Sequence, residues 1–424
     1  MLADLKRRFP FLVNSTYAAA SAGSAVLLLA LLVIAGRWLS VDDYGRFGFA
    51  FALTTILETI MDSGLGALTI REVARDRQGA QRLFRHILGL KLVWVAIGLA
   101  LLGVLAPALR SDPVVIHVCY LMGISSAIRS YLLTTRGLLQ GLDRFDLEAL
   151  LVVADRVILL GACAAVLVGG YGLYGLALTF VLVRALMLVV VLALVRRHLG
   201  PIAPQIDRAA WRGLQSAALP LGFFMITLNM YTYIDTVILG VMRSDSEVAW
   251  YGAAYKLYEG LTYVPAILSA VLIPRLSNLF VLDRVEHQVL LRRTLGASIV
   301  LGVLLGAVLS ATAFWILPTI FGRAYQPGIP PLQILAGGAV FVFATWILHA
   351  AAISTNLDRR LLATTVAGLT TNVILNVAFI PRWGISGAAW ATVLAEALTA
   401  VALFAQVSRR LADSSAAPVG GGGL

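Results

Sequence analysis

The sequence predicts an all-α integral membrane protein, with twelve transmembrane helices in two six-helix lobes related by a parallel pseudo-two-fold repeat. Three observations carry that expectation. Of the 424 residues, 60% are apolar and only 13% charged, and the mean hydropathy is +0.89. A soluble domain carries about a quarter charged residues. Twelve apolar runs are each long enough to cross a hydrocarbon core, which takes about 20 residues. The second half of the chain also echoes the first. At an offset of 204, Gly36, Ser40, Gly48, Ala50 and Leu53 recur as Gly240, Ser244, Gly252, Ala254 and Leu257, while Asp43/Glu247, Phe47/Tyr251 and Phe51/Tyr255 keep their chemistry. A second match, at offset 212, sets 171–186 against 383–398.

In chain order the runs lie at roughly 12–36, 44–66, 86–106, 113–139, 147–168, 172–195, 215–240, 250–274, 294–318, 329–353, 361–380 and 385–406. Lys6-Arg7-Arg8 ahead of the first run mimics a signal peptide, but the run continues to Ala35. That is too long for a cleavable apolar region of about 7–15 residues, so it reads as a retained helix. Asp112-Pro113 opens the fourth run, Gly200-Pro201 closes the first half, and Pro318, Pro327, Pro330 and Pro331 bracket a later connection, since proline is tolerated at helix ends and breaks interiors. The polar stretch 196–212 reads as the linker, giving lobes 1–200 and 201–410. The remainder, 411–424, ends in Gly420–Gly423 and has no apolar face to bury, so it reads as a disordered cytoplasmic tail.

The net charge of +11 reports topology rather than nucleic acid. Twenty of the 33 Lys and Arg, among them Arg71, Arg75, Arg77, Arg196, Arg197, Arg292, Arg293, Arg409 and Arg410, fall in segments that an inward N-terminus places in the cytoplasm, against six on the opposite side. This is the positive-inside bias with both termini cytoplasmic. Each half has an even number of spans, so both start on the same side and the repeat is parallel, as in secondary transporters whose halves face each other across a central cavity. Cys119 and Cys163 lie far apart in apolar runs and the five histidines are scattered, which predicts no metal site. No connection is long enough to hold a soluble catalytic domain.

Leu39-Ser-Val-Asp-Asp-Tyr-Gly45, Gly64-Leu-Gly66, Arg71-Glu72, Leu139-Gln-Gly-Leu142, Tyr233-Ile-Asp235, Tyr251-Gly-Ala-Ala254, Pro274-Arg-Leu-Ser277, Phe321-Gly-Arg-Ala-Tyr325, Asn372-Val-Ile-Leu-Asn376 and Gly384-Ile-Ser-Gly387 occur in order along nearly the whole chain. This set resembles the polysaccharide-biosynthesis flippases of the multidrug, oligosaccharidyl-lipid and polysaccharide exporter superfamily. The resemblance implies a V-shaped two-lobed fold in the bacterial cytoplasmic membrane. It implies a flippase for a polyprenyl-pyrophosphate-linked oligosaccharide destined for O-antigen, capsule or exopolysaccharide, working beside other polysaccharide assembly proteins. The related peptidoglycan-precursor flippases carry two further helices, which this chain lacks.

Independently of family, ionisable residues deep in the spans mark function. Arg129, Arg156, Arg184, Glu58, Asp155, Glu259 and Glu396 each lie roughly 12 Å or more from a helix end, at 1.5 Å per residue. Facing lipid, the seven would cost on the order of 20 kcal/mol, so they must face one another or a hydrated cavity. Arg184 and Glu396 are equivalent in the repeat. Glu259 maps to a helical face that carries Glu58 and Asp62. Arg129 and Arg136 share a face of the fourth helix and, with Lys91 and Arg156, read as a cationic vestibule for pyrophosphate, which guanidinium grips in bidentate fashion. Lys256 joins the substrate-facing candidates. Glu58, Asp62, Asp155, Asp235, Glu259 and Glu396 are the candidates for ion coupling or charge pairing, with a proton or sodium as the coupling ion and no other cofactor. Structural pairing remains an equal reading for Asp155, Arg184 and Glu396, and snorkelling to an interface for Lys91 and Lys256. Tyr231, Tyr233, Tyr251, Tyr255, Tyr258 and Tyr263 read as an interfacial belt rather than a sugar-stacking surface. Pro220 and Pro265 are candidate hinges.

The expected activity is therefore transport by alternating access. A cation-coupled drug antiporter of the same superfamily is the second reading. A membrane polymerase or ligase is the third, disfavoured by short external connections.

Overall fold

The computed structural model describes residues 10–416, and these are helical almost throughout, with no strand among them. The elements are α1 (Pro10–Trp38), α2 (Val41–Asp62), α3 (Leu65–Arg75), α4 (Ala80–Leu109), α5 (Pro113–Gly141), α6 (Phe145–Val168), α7 (Gly172–Leu199), α8 (Arg208–Met242), α9 (Asp245–Leu282) and α10 (Arg284–Phe321). A 3₁₀ turn (Arg323–Gly328), α11 (Ile329–Gly337), α12 (Ala339–Ser354) and α13 (Asp358–Ala416) complete them. Nine of these helical stretches are long and apolar enough to cross a membrane, and the bent α11–α12 pair makes a tenth. The shorter apolar stretch Val26–Trp38 and the break at Gly384, which divides α13, account for the other two expected runs. The chain is a multi-pass membrane protein. Lys6, Arg7, Arg8 and the glycine run of the tail lie outside the described residues, and α13 continues to Ala416, into the stretch read as tail.

The repeated segments share local conformation. Ser40 caps α2 by accepting from the Asp43 N–H, and Ser244 caps α9 by accepting from Glu247, whose side chain returns the bond in a capping box. Gly172 and Gly384, matched at offset 212, both adopt positive φ, at 60° and 55°, a conformation that glycine reaches without strain.

Sequence and structure differ where hydropathy is blind to breaks. The run 44–66 divides because Ser63 (φ 48°) and Gly64 (φ 80°) turn left-handed, ending α2 and starting α3. The run 329–353 bends by 43° between α11 and α12, at Gly337-Gly338. The polar connection 275–293 is helical except at Asp283, which ends α9 and caps α10 by accepting from the N–H groups of Val285 and Glu286.

Two compact units emerge, the first through Tyr233 and the second from Ile234. The division falls inside α8 rather than at 200/201. The linker and the start of α8 are strapped to the first unit. The Gln205 N–H donates to the Arg85 carbonyl (2.9 Å), the Gln81 side chain to Pro201 (2.9 Å), and the Trp211 indole to His86 (3.2 Å). Leu65, Leu68, Ile87, Leu90 and Ala218 form an apolar cluster beneath that strap. In the first unit α5 is central, contacting α2, α3, α4 and α7, while α12 holds that place in the second, against α9, α10 and α13.

Candidate functional site

The central helix of the first unit carries the unusual polarity. Ser125, Ser126, Ser130, Thr134 and Thr135 of α5 are all buried, small enough to let neighbouring helices approach and able to return hydroxyls to their own backbone. On this helix Arg129 pairs with Glu58 of α2. Across from it, α6 supplies Asp155 and Arg156, and α7 supplies Arg184. Arg184 is 5% exposed, donates to the Ser125 hydroxyl at 2.9 Å and lies 5.1 Å above the Phe180 ring. No carboxylate forms an ion pair with it among the described residues. Arg156 is half-buried and forms neither ion pair nor hydrogen bond among the described residues. Asp155 is buried with one carboxylate oxygen unpartnered. Arg129, Arg156 and Arg184 lie within electrostatic reach of one another and of Glu58 and Asp155. Three guanidinium groups against two carboxylates leave room for one anionic charge.

The remaining basic residues of the expected vestibule do other work. Lys91 neither snorkels nor lines an opening. It is fully enclosed (0% exposed), pairing with Asp62 at 2.7 Å and donating to the Thr134 hydroxyl at 2.6 Å, which itself donates to Asp62 at 3.1 Å. This triad ties α2, α4 and α5 together. Arg136 is held by Glu148 of α6 through both Nε and an Nη, at 3.0 and 2.7 Å, and Gln140 donates to the same carboxylate. Its charge is already neutralised. The reason is geometric. Two residues on one helical face need not share a neighbour, and the end of α5 meets the acidic start of α6.

In the second unit a different chemistry appears. Asp235, near the end of α8, is 2% exposed and has no cationic partner among the described residues. Its oxygens accept from the hydroxyls of Tyr251 (3.0 Å) and Thr392 (2.6 Å) and from the Asn376 amide (2.9 Å). Asn376 also donates to the Asn372 side chain (3.1 Å), and the Asn376 side-chain oxygen has no donor. Neutral donors satisfy the carboxylate's oxygens, and the oxygens gathered here are of the kind that bind a hard cation. Lys256 and Glu259, one turn apart on α9, pair with each other at 2.6 Å. Glu396 of α13 is half-buried and within electrostatic reach of Tyr258. Arg184 and Glu396, equivalent in the repeat, belong to separate units.

The tyrosine belt is corrected. Tyr251 and Tyr258 are buried, Tyr251 bonded to Asp235, and of the six only Tyr263 is exposed. Their one-turn spacing on α9 places them on an inward face, where rings stack at 5.9 Å between Tyr251 and Tyr255. Among the described residues no three His, Cys, Asp or Glu converge as metal ligands, and both cysteines are free and buried. Sequence reasoning passed over Glu148, Ser125, Thr392, Asn372 and Asn376 as site residues. For the asparagines a signal existed, because two amides four apart on an apolar helix share one face. Nothing local marked the serine or the threonine.

The sequence pattern of a family described as polysaccharide biosynthesis protein matches residues 12–280. A curated protein of Haloferax volcanii described as probable flippase AglR is 29% identical over 182 residues, 40% of this chain. The chain spans 37% of the length of that relative. A solved structure of the lipid II flippase MurJ in an inward closed conformation superposes with a TM-score of 0.75 at 15% identity, over 94% of this chain and 89% of that one. An inward-facing multidrug resistance MATE family transporter of the MOP superfamily superposes with a TM-score of 0.72 at 13% identity, over 93% of this chain and 96% of that one. At such identities the likeness is one of fold.

Proposed function

Since the chain belongs to the polysaccharide biosynthesis protein family, we propose that it is a flippase. It carries a polyprenyl-pyrophosphate-linked oligosaccharide across the bacterial cytoplasmic membrane by alternating access, as a carrier and not an enzyme, with both termini in the cytoplasm. The observation that carries the reading is the excess of guanidinium over carboxylate among Arg129, Arg156, Arg184, Glu58 and Asp155 within the first unit. A pyrophosphate supplies the missing negative charge and the bidentate geometry that guanidinium prefers. Arg156 is the group with donors to spare, while Arg129 must share with Glu58.

We also assign the coupling role to Asp235, with a proton or sodium ion as the partner that its unpaired carboxylate lacks. Glu58, Asp62 and Glu259 are already committed to Arg129, Lys91 and Lys256. The likeness in fold to a MATE transporter favours drug antiport as the second reading.

The test uses Arg156→Ala, which breaks no ion pair. In a strain lacking the native gene, the variant should reach the membrane at normal level, pile up polyprenyl-linked glycan on the inner leaflet and export less than about a tenth of the wild-type glycan, the effect of losing one charge-assisted contact. Normal glycan export in this variant would overturn the assignment of the cluster. Dye efflux without any glycan defect on deletion would favour antiport instead.

A further inference from the structure

At the start of α10 a slot of about 280 Å³ opens between α10, α12 and the end of α13, wholly within the second unit. Its buried floor is apolar, formed by Leu291, Leu348 and Val407, and its lining also carries Gln288 and the exposed Arg292 and Ser408. Behind it lies a packed cluster that includes Leu276, Ile347 and Leu403, so the slot does not lead into the core. Its size is at the lower bound of small-molecule sites, about 300 Å³, enough for a single hydrocarbon chain and not for a whole lipid. No carboxylate lines it.

The charges around the mouth are what select the occupant. Several other arginines at helix junctions are neutralised within the chain. Arg71 and Arg75 meet Glu72 at 2.9 and 3.2 Å, Arg77 meets Asp143, and Arg144 meets Asp146 at 3.1 Å. Arg292, Arg293 and Arg409 are exposed and form neither ion pair nor hydrogen bond among the described residues. The slot lies at the start of α10 and the ends of α12 and α13, the level at which helices of this length are expected to meet a bilayer's headgroups. Unneutralised arginines over an apolar slot at that level complement a phosphate attached to an acyl chain.

We propose that this slot seats one acyl chain of an anionic phospholipid, whose phosphate is held by Arg292 with Arg293 and Arg409 beside it. Polyprenyl substrate is not its occupant, and the site is separate from the guanidinium cluster of the first unit.

The full chain in neutral detergent, titrated with phosphatidylglycerol or phosphatidylcholine of identical chains, is read by native mass spectrometry. Phosphatidylglycerol should be retained about tenfold more strongly. Arg292→Ala with Arg293→Ala should reduce its retention to that of phosphatidylcholine, and the lysine pair at the same positions should keep most of it. Ser408→Trp, which fills the slot while leaving the arginines, should also abolish the preference. All three positions are exposed, and unchanged unfolding temperatures will confirm intact variants. Equal retention of the two lipids, unaltered retention in both the alanine and tryptophan variants, or stronger retention of undecaprenyl phosphate than of phosphatidylglycerol overturns the proposal. Because the readout is a bulk lipid, glycan export is decided independently.

Discussion

Two cations of the first unit, Lys91 and Arg156, show how far side-chain identity alone falls short of role. Lys91 is locked between Asp62 and Thr134 and fully enclosed, whereas Arg156 is half-buried and unpartnered among the described residues. Lys91→Met leaves Asp62 without its counter-charge, and breaking a buried pair from one side costs about 3–5 kcal/mol. A matching loss of resistance to thermal unfolding in detergent is expected. Pairing it with Asp62→Leu should restore most of that resistance, because two apolar groups of similar volume carry no desolvation penalty. If the double variant unfolds as readily as the single, the pair is not the origin of the stabilisation. Asp235 presents the converse case, a buried carboxylate held by neutral donors and facing an unpartnered amide oxygen. Asp235→Asn keeps the shape and removes the charge. Reconstituted protein should lose its dependence on an imposed proton or sodium gradient while its unfolding temperature stays within a few degrees. Any salt-specific rise in wild-type unfolding temperature should vanish with it. Gradient-driven transport that survives the substitution removes Asp235 from the coupling role.

At the scale of elements, the packing of α8 on the first unit depends on two glycines. A Cβ at Gly64 would stand 2.4 Å from the Ala218 carbonyl oxygen, and one at Gly222 would stand 2.5 Å from the Ser63 carbonyl carbon. The backbone of α8 therefore rests directly on the break between α2 and α3. Gly222→Ala must push the two apart, at a cost of about 1–3 kcal/mol, and Gly64→Ala adds the strain of a side chain at φ +80°. Both variants should show lower unfolding temperatures than Gly103→Ala, where nothing lies within 4 Å of the added carbon. Equal temperatures for Gly222→Ala and Gly103→Ala would mean that this contact carries no strain. The apolar runs were legible because hydropathy depends on composition over a full turn count. The breaks at Ser63-Gly64 and Gly337-Gly338 and the corner at Asp283 were not, since each depends on backbone angles at one or two residues that the surrounding apolar runs conceal. The candidate site was legible as a set of charges too costly to face lipid. Its partition into a triad, a neutral bidentate pair and an unneutralised cluster required knowing which helix stands beside α5.

For the whole molecule, orientation decides what the guanidinium cluster can reach first and on which side the arginine-rostered slot meets phospholipid. The excess of Lys and Arg falls on alternate connections, and under the proposed orientation 67–85 and 275–293 are expected in the cytoplasm and 107–112 and 319–328 outside. The two native cysteines are buried, so replacing them by alanine gives a thiol-free background from which single reporters can be read. Gln78, Ser111, Glu286 and Gln326 are exposed, two on each expected side. In intact cells a membrane-impermeant maleimide should label Ser111→Cys and Gln326→Cys, and should reach Gln78→Cys and Glu286→Cys only after the membrane is permeabilised. Each pair draws one reporter from either unit, so the same experiment asks whether both units start on one side, as a parallel repeat requires and an inverted one forbids. Labelling of Ser111→Cys together with Glu286→Cys in intact cells would invert the second unit and remove the basis for reading the chain as a parallel duplication. Labelling of Gln78→Cys and Glu286→Cys alone would reverse the whole molecule, and with it the direction in which a pyrophosphate-linked glycan could enter.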